Sequence, residues 1–248
     1  MKWNQAWRVC KRASVGALAV AGLSFGASAL VSAPADATIV VKHDVDGLTT
    51  GAETIVMGRV RAQSARWVGT RIMTEVQIEV ALPVMGKADV GEVVTVEVLG
   101  GRVGDLAQVV SGVSRFSEGE DVVLFLKRSV AQPQVSRVVG MAQGKYTVVQ
   151  GPDERLWAVR DLNGLTLAEV VPGSAGPRHV TRFAHMAPEE LGAVPLDGLM
   201  RQVATGMRRL DEPVRPELLK HLGQGLRQQV DFSKVFEALD VSPRRGEP

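Results

Sequence analysis

The chain has 248 residues, enough for one large or two small domains, and 45% hydrophobic against 23% charged residues places it with globular rather than disordered proteins. Aromatics make up only 4%, so the core has to be built from Val, Leu, Ile and Met. The formal charge of +2 does not support a nucleic-acid partner: Lys2, Arg8, Lys11 and Arg12 face only Asp36 in the first 37 residues, a surplus of +3, and the remainder carries −1.

Residues 1–37 read as a signal peptide. A basic region ends at Lys11-Arg12, an apolar stretch runs from about Val15 to Val31, and small-residue sites follow at Ala27-Ser28-Ala29 and Ala35-Asp36-Ala37. The stretch is near the lower limit for a membrane span and rich in Gly, Ala and Ser, which argues for cleavage over anchoring. Cutting after Ala37 is preferred, because Thr38-Ile39-Val40-Val41 looks like the start of folded structure; cutting after Ala29 is the alternative. Cys10 precedes the apolar stretch, the wrong side for a lipoprotein, and no cysteine remains afterwards, so the exported domain has neither disulfide nor thiol chemistry.

Asp44-Val45-Asp46-Gly47 resembles the opening of a calcium loop, but Glu53 is too near and Gly47 too early; a capped turn entering a short helix is the better reading. Thr54–Val68 and Arg71–Leu82 then predict a hairpin turning at Gly69-Thr70. In its second arm Ile72, Thr74, Val76, Ile78, Val80 and Leu82 fall on one face, and Arg71, Met73, Glu75, Gln77 and Glu79 on the other. Gly58 predicts a bulge or bend in the first arm. Residues 83–92 predict a loop, Val93–Leu99 a strand ending at Gly100-Gly101, and Gln108–Val113 a weaker strand. Gly100-Gly101-x-x-Gly104 lacks the helix a dinucleotide fingerprint needs, so its glycines read as turn residues.

Ser117–Glu120 predicts a turn, and Asp121–Lys127 a strand apolar enough to be buried on both sides. Arg137–Met141, Lys145–Gln150 and Arg155–Arg160 complete the strand set. Residues 171–195 read as a linker. Leu196, Leu199, Met200, Val203, Met207 and Leu210 keep helical spacing, as do Leu218, Leu219, Leu222 and Leu226, and Phe232, Val235, Phe236 and Leu239 form a third stripe. Packing against the barrel is the first reading of these stripes, a partner groove the second. Residues 241–248 are a tail.

The chemistry-bearing residues form no recognised constellation. No His-Glu-x-x-His and no Gly-x-Ser-x-Gly occurs; His43, His179, His185 and His221 are scattered, and His179 with His185 reads as surface polarity before it reads as a metal pair. Glu118, Glu120 and Asp121 are explained by their turn, and Trp67 and Trp157 read as core residues. No catalytic, cofactor-binding or metal-ligating residue is assigned.

The runs IleValMetGlyArgVal (55–60), ThrArgIleMetThrGluValGlnIleGluVal (70–80), GlyGluValValThrValGluValLeuGlyGly (91–101), SerGlyValSerArgPheSerGluGlyGluAspValValLeuPheLeu (111–126) and GlyLysTyrThrValVal (144–149) resemble a family of uncharacterised secreted bacterial proteins of myxobacterial type. The resemblance spans about residues 38–170. Strand order and turns are also similar to the netrin-like, OB-type barrel of tissue inhibitors of metalloproteases. Those inhibitors chelate zinc through an N-terminal cysteine, which this chain lacks after residue 37, so no site residue carries over.

The expectation is therefore a mainly β protein, a small OB-like or netrin-like β-barrel over 38–170 with a helical C-terminal extension over 196–240. Its expected role is a non-enzymatic periplasmic or extracellular module with an unidentified protein partner, no nucleic acid and no stable membrane anchor after cleavage. The acidic loop 117–121 and the segment 172–188 are the candidate contacts. The alternatives are a secreted hydrolase using His179 or His185 with a carboxylate, and an accessory factor docking through its C-terminal helices.

Overall fold

The computed structural model describes residues 38–151, 155–172, 179–183 and 193–223. The signal-peptide reading, His185 and the stripe from Phe232 to Leu239 lie outside them. Among the described residues 13 strands are arranged in three sheets. The protein is mainly β, as the strand-rich sequence predicts.

The first elements are β1 (Thr38–Val41) and α1 (Val45–Gly51). The capped turn expected at Asp44 is present: the Asp44 carboxylate accepts from the Gly47 amide at 2.7 Å and so supplies one of the acceptors that a helix start lacks. The hairpin of β2 (Thr54–Val68) and β3 (Arg71–Met85) follows, then β4 (Val93–Leu99), β5 (Gly101–Val103), β6 (Leu106–Gln108) and β7 (Asp121–Arg128). After β8 (Ser136–Val138) a 3-10 turn (Met141–Gly144) leads to β9 (Lys145–Gln150), β10 (Leu156–Val159), β11 (Leu165–Pro172), β12 (His179–Phe183) and β13 (Ala193–Pro195). Two helices end the described chain, α2 (Leu196–Arg209) and α3 (Pro216–Gly223).

The main sheet has eight strands in the order β13-β10-β9-β7-β2-β3-β4-β8, and β8 also pairs with β7. A second sheet, β1-β11-β12, joins the first strand to β11 in parallel. The short β5-β6 hairpin is the third.

The central strands are buried on both faces, and each face feeds a separate core. In β7, Val122, Leu124 and Leu126 enter an inner cluster with Val56, Val60, Val76, Ile78, Val80 and Val96. Val123 and Phe125 enter an outer cluster with Ile55, Met57, Leu48, Tyr146 and the buried face of α2. The two-sided burial expected for 121–127 follows directly from its continuous apolar run. In α2 the stripe of Leu196, Leu199, Met200, Val203 and Met207 is spent on this outer core, while Leu210 lies past the helix and is exposed. Gly206 lets α2 approach α1: a Cβ there would sit 3.2 Å from the Thr49 side chain.

Several expectations are corrected. Leu82 does not share a face with Val80; it joins the outer core. The register explains why. Met57 pairs with Leu82 and Gly58 with Val80, so Ala81 is an extra residue that reverses the alternation. The bend expected at Gly58 coincides with this shift, and a Cβ at Gly58 would run into the Glu79 carbonyl oxygen. A further extra residue, Val84, falls between the Ile55–Met85 and Val56–Pro83 pairs, and carries β3 into the region expected as loop. The weak strand at 108–113 is displaced to β6, and the segment expected as a linker over 171–195 contains β12 and β13. Trp67 is 47% exposed rather than core, because it stands at the end of the hairpin beyond the part of β2 that β7 covers.

Candidate functional site

Phe116 packs against the inner core from the loop between β6 and β7, and the surface on either side of it is concave. On one side a groove of about 400 Å³ lies between Thr74 and Val98 of the sheet and the segment 108–116. Its floor is ordered by polar contacts. The Thr74 hydroxyl donates to the Gly100 carbonyl at 2.7 Å, the Ile72 amide donates to Gln108 Oε1 at 2.7 Å, and Gln63 Nε2 donates to the Phe116 carbonyl at 3.2 Å. Gly101 allows the chain to cross here: its φ is +136°, and any Cβ would collide with Thr74 Oγ1, so both backbone and space exclude a side chain. Val109, Val110 and Val113 form the apolar wall, and Val109 is 81% exposed.

On the other side a polar pocket of about 190 Å³ is built around Lys145. Strand β9 begins at this residue, and its ammonium lies 2.5 Å from Glu120 Oε1, 3.2 Å from Thr147 Oγ1 and 5.0 Å from the centre of the Phe116 ring. Both charged side chains of the pair are mostly buried, 10% and 14% exposed. Glu120 also accepts from the Thr147 hydroxyl and from the Ser117 amide, so its carboxylate is fully engaged. The arrangement holds the loop end against β9 and leaves exposed Arg115 and Asp161 beside it, while buried Ser114 donates its hydroxyl to the Met141 carbonyl at 3.1 Å.

The acidic loop expected as a contact surface is thus largely consumed by the fold. Glu120 is bound to Lys145, and Asp121 holds Arg59 through two hydrogen bonds of 2.7 and 2.9 Å. Glu118 remains exposed in the turn. The described histidines lie on different segments of the chain. His43 donates its amide to Gln143 Oε1 at 2.8 Å, His179 opens β12, and His221 is in α3. Among the described residues no group of three His, Cys, Asp or Glu side chains could hold a metal ion.

Sequence reasoning missed three polar groups. Gln143 is completely buried and fully bonded, its Nε2 donating to the Val41 and Gly140 carbonyls at 2.9 and 3.2 Å. Glu79 lies on the face of β3 that its alternation assigns as polar, and Glu97 lies in β4, yet arginines cover both: Arg61 binds Glu79, and Arg137 binds Glu97 at 2.8 Å. A larger groove of about 990 Å³ runs beneath the connection Leu210–Pro216, but Arg215 crosses to the Gly86 carbonyl at 2.5 Å and Arg128 pairs with Glu53 at 2.5 Å within its walls. No helix among the described residues is long and apolar enough to cross a membrane. Comparison with family models, curated proteins and solved structures finds no match to this chain.

Proposed function

We propose that the protein is an exported, non-enzymatic binding module built on an OB-type barrel, and that it engages a protein partner through the groove beside Phe116. Five strands support the barrel reading. β2 pairs with β3, β3 with β4, β4 with β8, β8 with β7, and β7 with β2 again. The β4–β8 contact, at Val96 and Ser136, is the parallel one of these five. A cycle of five strands around one apolar interior suits the layout of a small OB-type barrel.

The observation that carries the functional reading is the chemistry of the groove. It sets solvent-exposed Val109 beside Val110 and Val113, above a floor of backbone carbonyls and amide side chains. Apolar anchors next to ordered polar groups suit a peptide surface, where side chains seek the wall and main-chain groups seek the floor. Export is supported by the basic, apolar and small-residue order of residues 1–37.

A photo-reactive residue replacing Val109 tests the reading in cells that export the protein, with the same residue at fully exposed Val130 as the control. The expected outcome is a discrete protein adduct from position 109 and none from 130. Equal labelling at both positions, or none at 109, contradicts it.

A further inference from the structure

The start of β1 is received by two turns that converge on a single residue. The Thr38 amide nitrogen donates to the Gly164 carbonyl at 3.0 Å, and the Thr38 hydroxyl donates to the Ser111 carbonyl at 3.0 Å. Each turn is fixed independently. Leu165 donates back to the Leu162 carbonyl at 3.1 Å, and the Gly112 carbonyl accepts from Ala142 at 3.1 Å. The turns also touch each other, since any side chain at Gly112 would run into Leu165. From Thr38 onward the strand is committed: it runs in register with β11 from Leu165 to Ala168, and its far end is held by Gln143 through the Val41 carbonyl and the His43 amide.

We propose that Thr38 is the first residue of the mature protein and that its α-ammonium group is a structural part of the fold, seated in the socket formed by the Gly164 and Ser111 turns. The inference rests on the export reading and deepens it. The bond before Thr38 follows Ala35-Asp36-Ala37, a small-residue cleavage pattern like the Ala27-Ser28-Ala29 that precedes Leu30. What points to Thr38 rather than Leu30 is that the nitrogen that cleavage would convert to an ammonium already faces a carbonyl oxygen at hydrogen-bond distance. Backbone turns that offer carbonyls to an amine are a recurrent way of capturing a chain's N-terminus. A charged donor makes a stronger bond to the same carbonyl than an amide does, so removal of the leader tightens the first rung of the β1–β11 ladder. Cleavage after Ala29 would instead leave eight residues ahead of Thr38 and an ordinary amide in the socket.

The test begins with the full-length chain expressed in an export-competent bacterium. Intact mass and the N-terminal peptide of the exported product give its first residue, expected to be Thr38. The purified product is then acetylated at its α-amino group under mildly acidic conditions, which spare the more basic lysines. Acetylation is expected to lower the thermal midpoint by about 2–4 °C, and a T38V precursor should yield a product weakened to a similar degree while T38S retains the wild-type midpoint. A product starting at Leu30 overturns the proposal and leaves export standing. An uncleaved, unexported chain overturns both. A product that starts at Thr38 but whose midpoint is indifferent to acetylation overturns the socket alone.

Discussion

Gln143 shows how one side chain can secure the end of a strand. Its amide satisfies two carbonyls and one amide N–H drawn from Val41, His43 and Gly140, and the side chain itself is completely buried. Replacing it by Ala strands two backbone groups, the Val41 carbonyl and the His43 amide, and leaves a cavity; the Gly140 carbonyl keeps the main-chain amide of residue 143. Because each orphaned group costs about 1–3 kcal/mol, the expected loss for Gln143→Ala is about 2–6 kcal/mol, read as a shift of the urea midpoint with unchanged slope. The Lys145–Glu120 pair makes a different prediction. Its partners are mostly buried and share Thr147, so single truncations Lys145→Met and Glu120→Gln should each destabilise, and the double variant should lose less than their sum. A double-mutant cycle should return a coupling of about 1–3 kcal/mol; strict additivity would show that the pair is held by its neighbours rather than by its own attraction. Neither residue is legible as important from sequence. Gln143 carries no pattern, and Lys145 looks like any polar residue opening a strand.

The elements themselves are more legible. Alternation places β3 because a half-buried strand must send every second side chain inward, and Ile72, Val76, Ile78 and Val80 are all buried. Helical spacing places α2, whose stripe is buried against the outer core. What escapes is the phase. Gly58 marks the bend beside Ala81, but the extra residues at Arg61 and Val84 are visible only once β2 and β3 are paired. The strands within 171–195 escape for a related reason, as they are short and carry no sustained period. At this scale Met200→Ala in α2 should cost about 2–4 kcal/mol by removing a fully buried side chain from the outer core. Leu219→Ser, on the exposed side of α3, should stay within about 0.5 kcal/mol of wild type. If calorimetry ranked the two alike, α2 would not be part of the cooperative unit.

For the whole molecule, the sheet works as a partition. β2, β3 and β7 hold an inner core on one side and an outer, helix-capped core on the other, and the loop carrying Phe116 closes the inner one while shaping the candidate groove. Composition foreshadows part of this: a chain poor in aromatics and free of cysteine after residue 37 must rely on aliphatic burial, and two cores sharing one set of strands supply it. The groove is not legible in the same way. Its wall has a strand-like sequence, and its floor depends on contacts between residues more than 25 positions apart, such as Thr74 with Gly100 and Ile72 with Gln108.

In that arrangement β7 is bonded to β2 along one edge and to β9 and β8 along the other, with apolar cores above and below it. Native-state hydrogen exchange followed residue by residue tests this most directly. The amides of Val122, Val123, Leu124, Phe125 and Leu126 should be among the slowest in the protein, opening only with global unfolding, while those of the 129–135 loop exchange orders of magnitude faster. Exchange of 122–126 at loop-like rates would contradict the shared-strand architecture on which the two cores, the groove and the placement of α2 all depend.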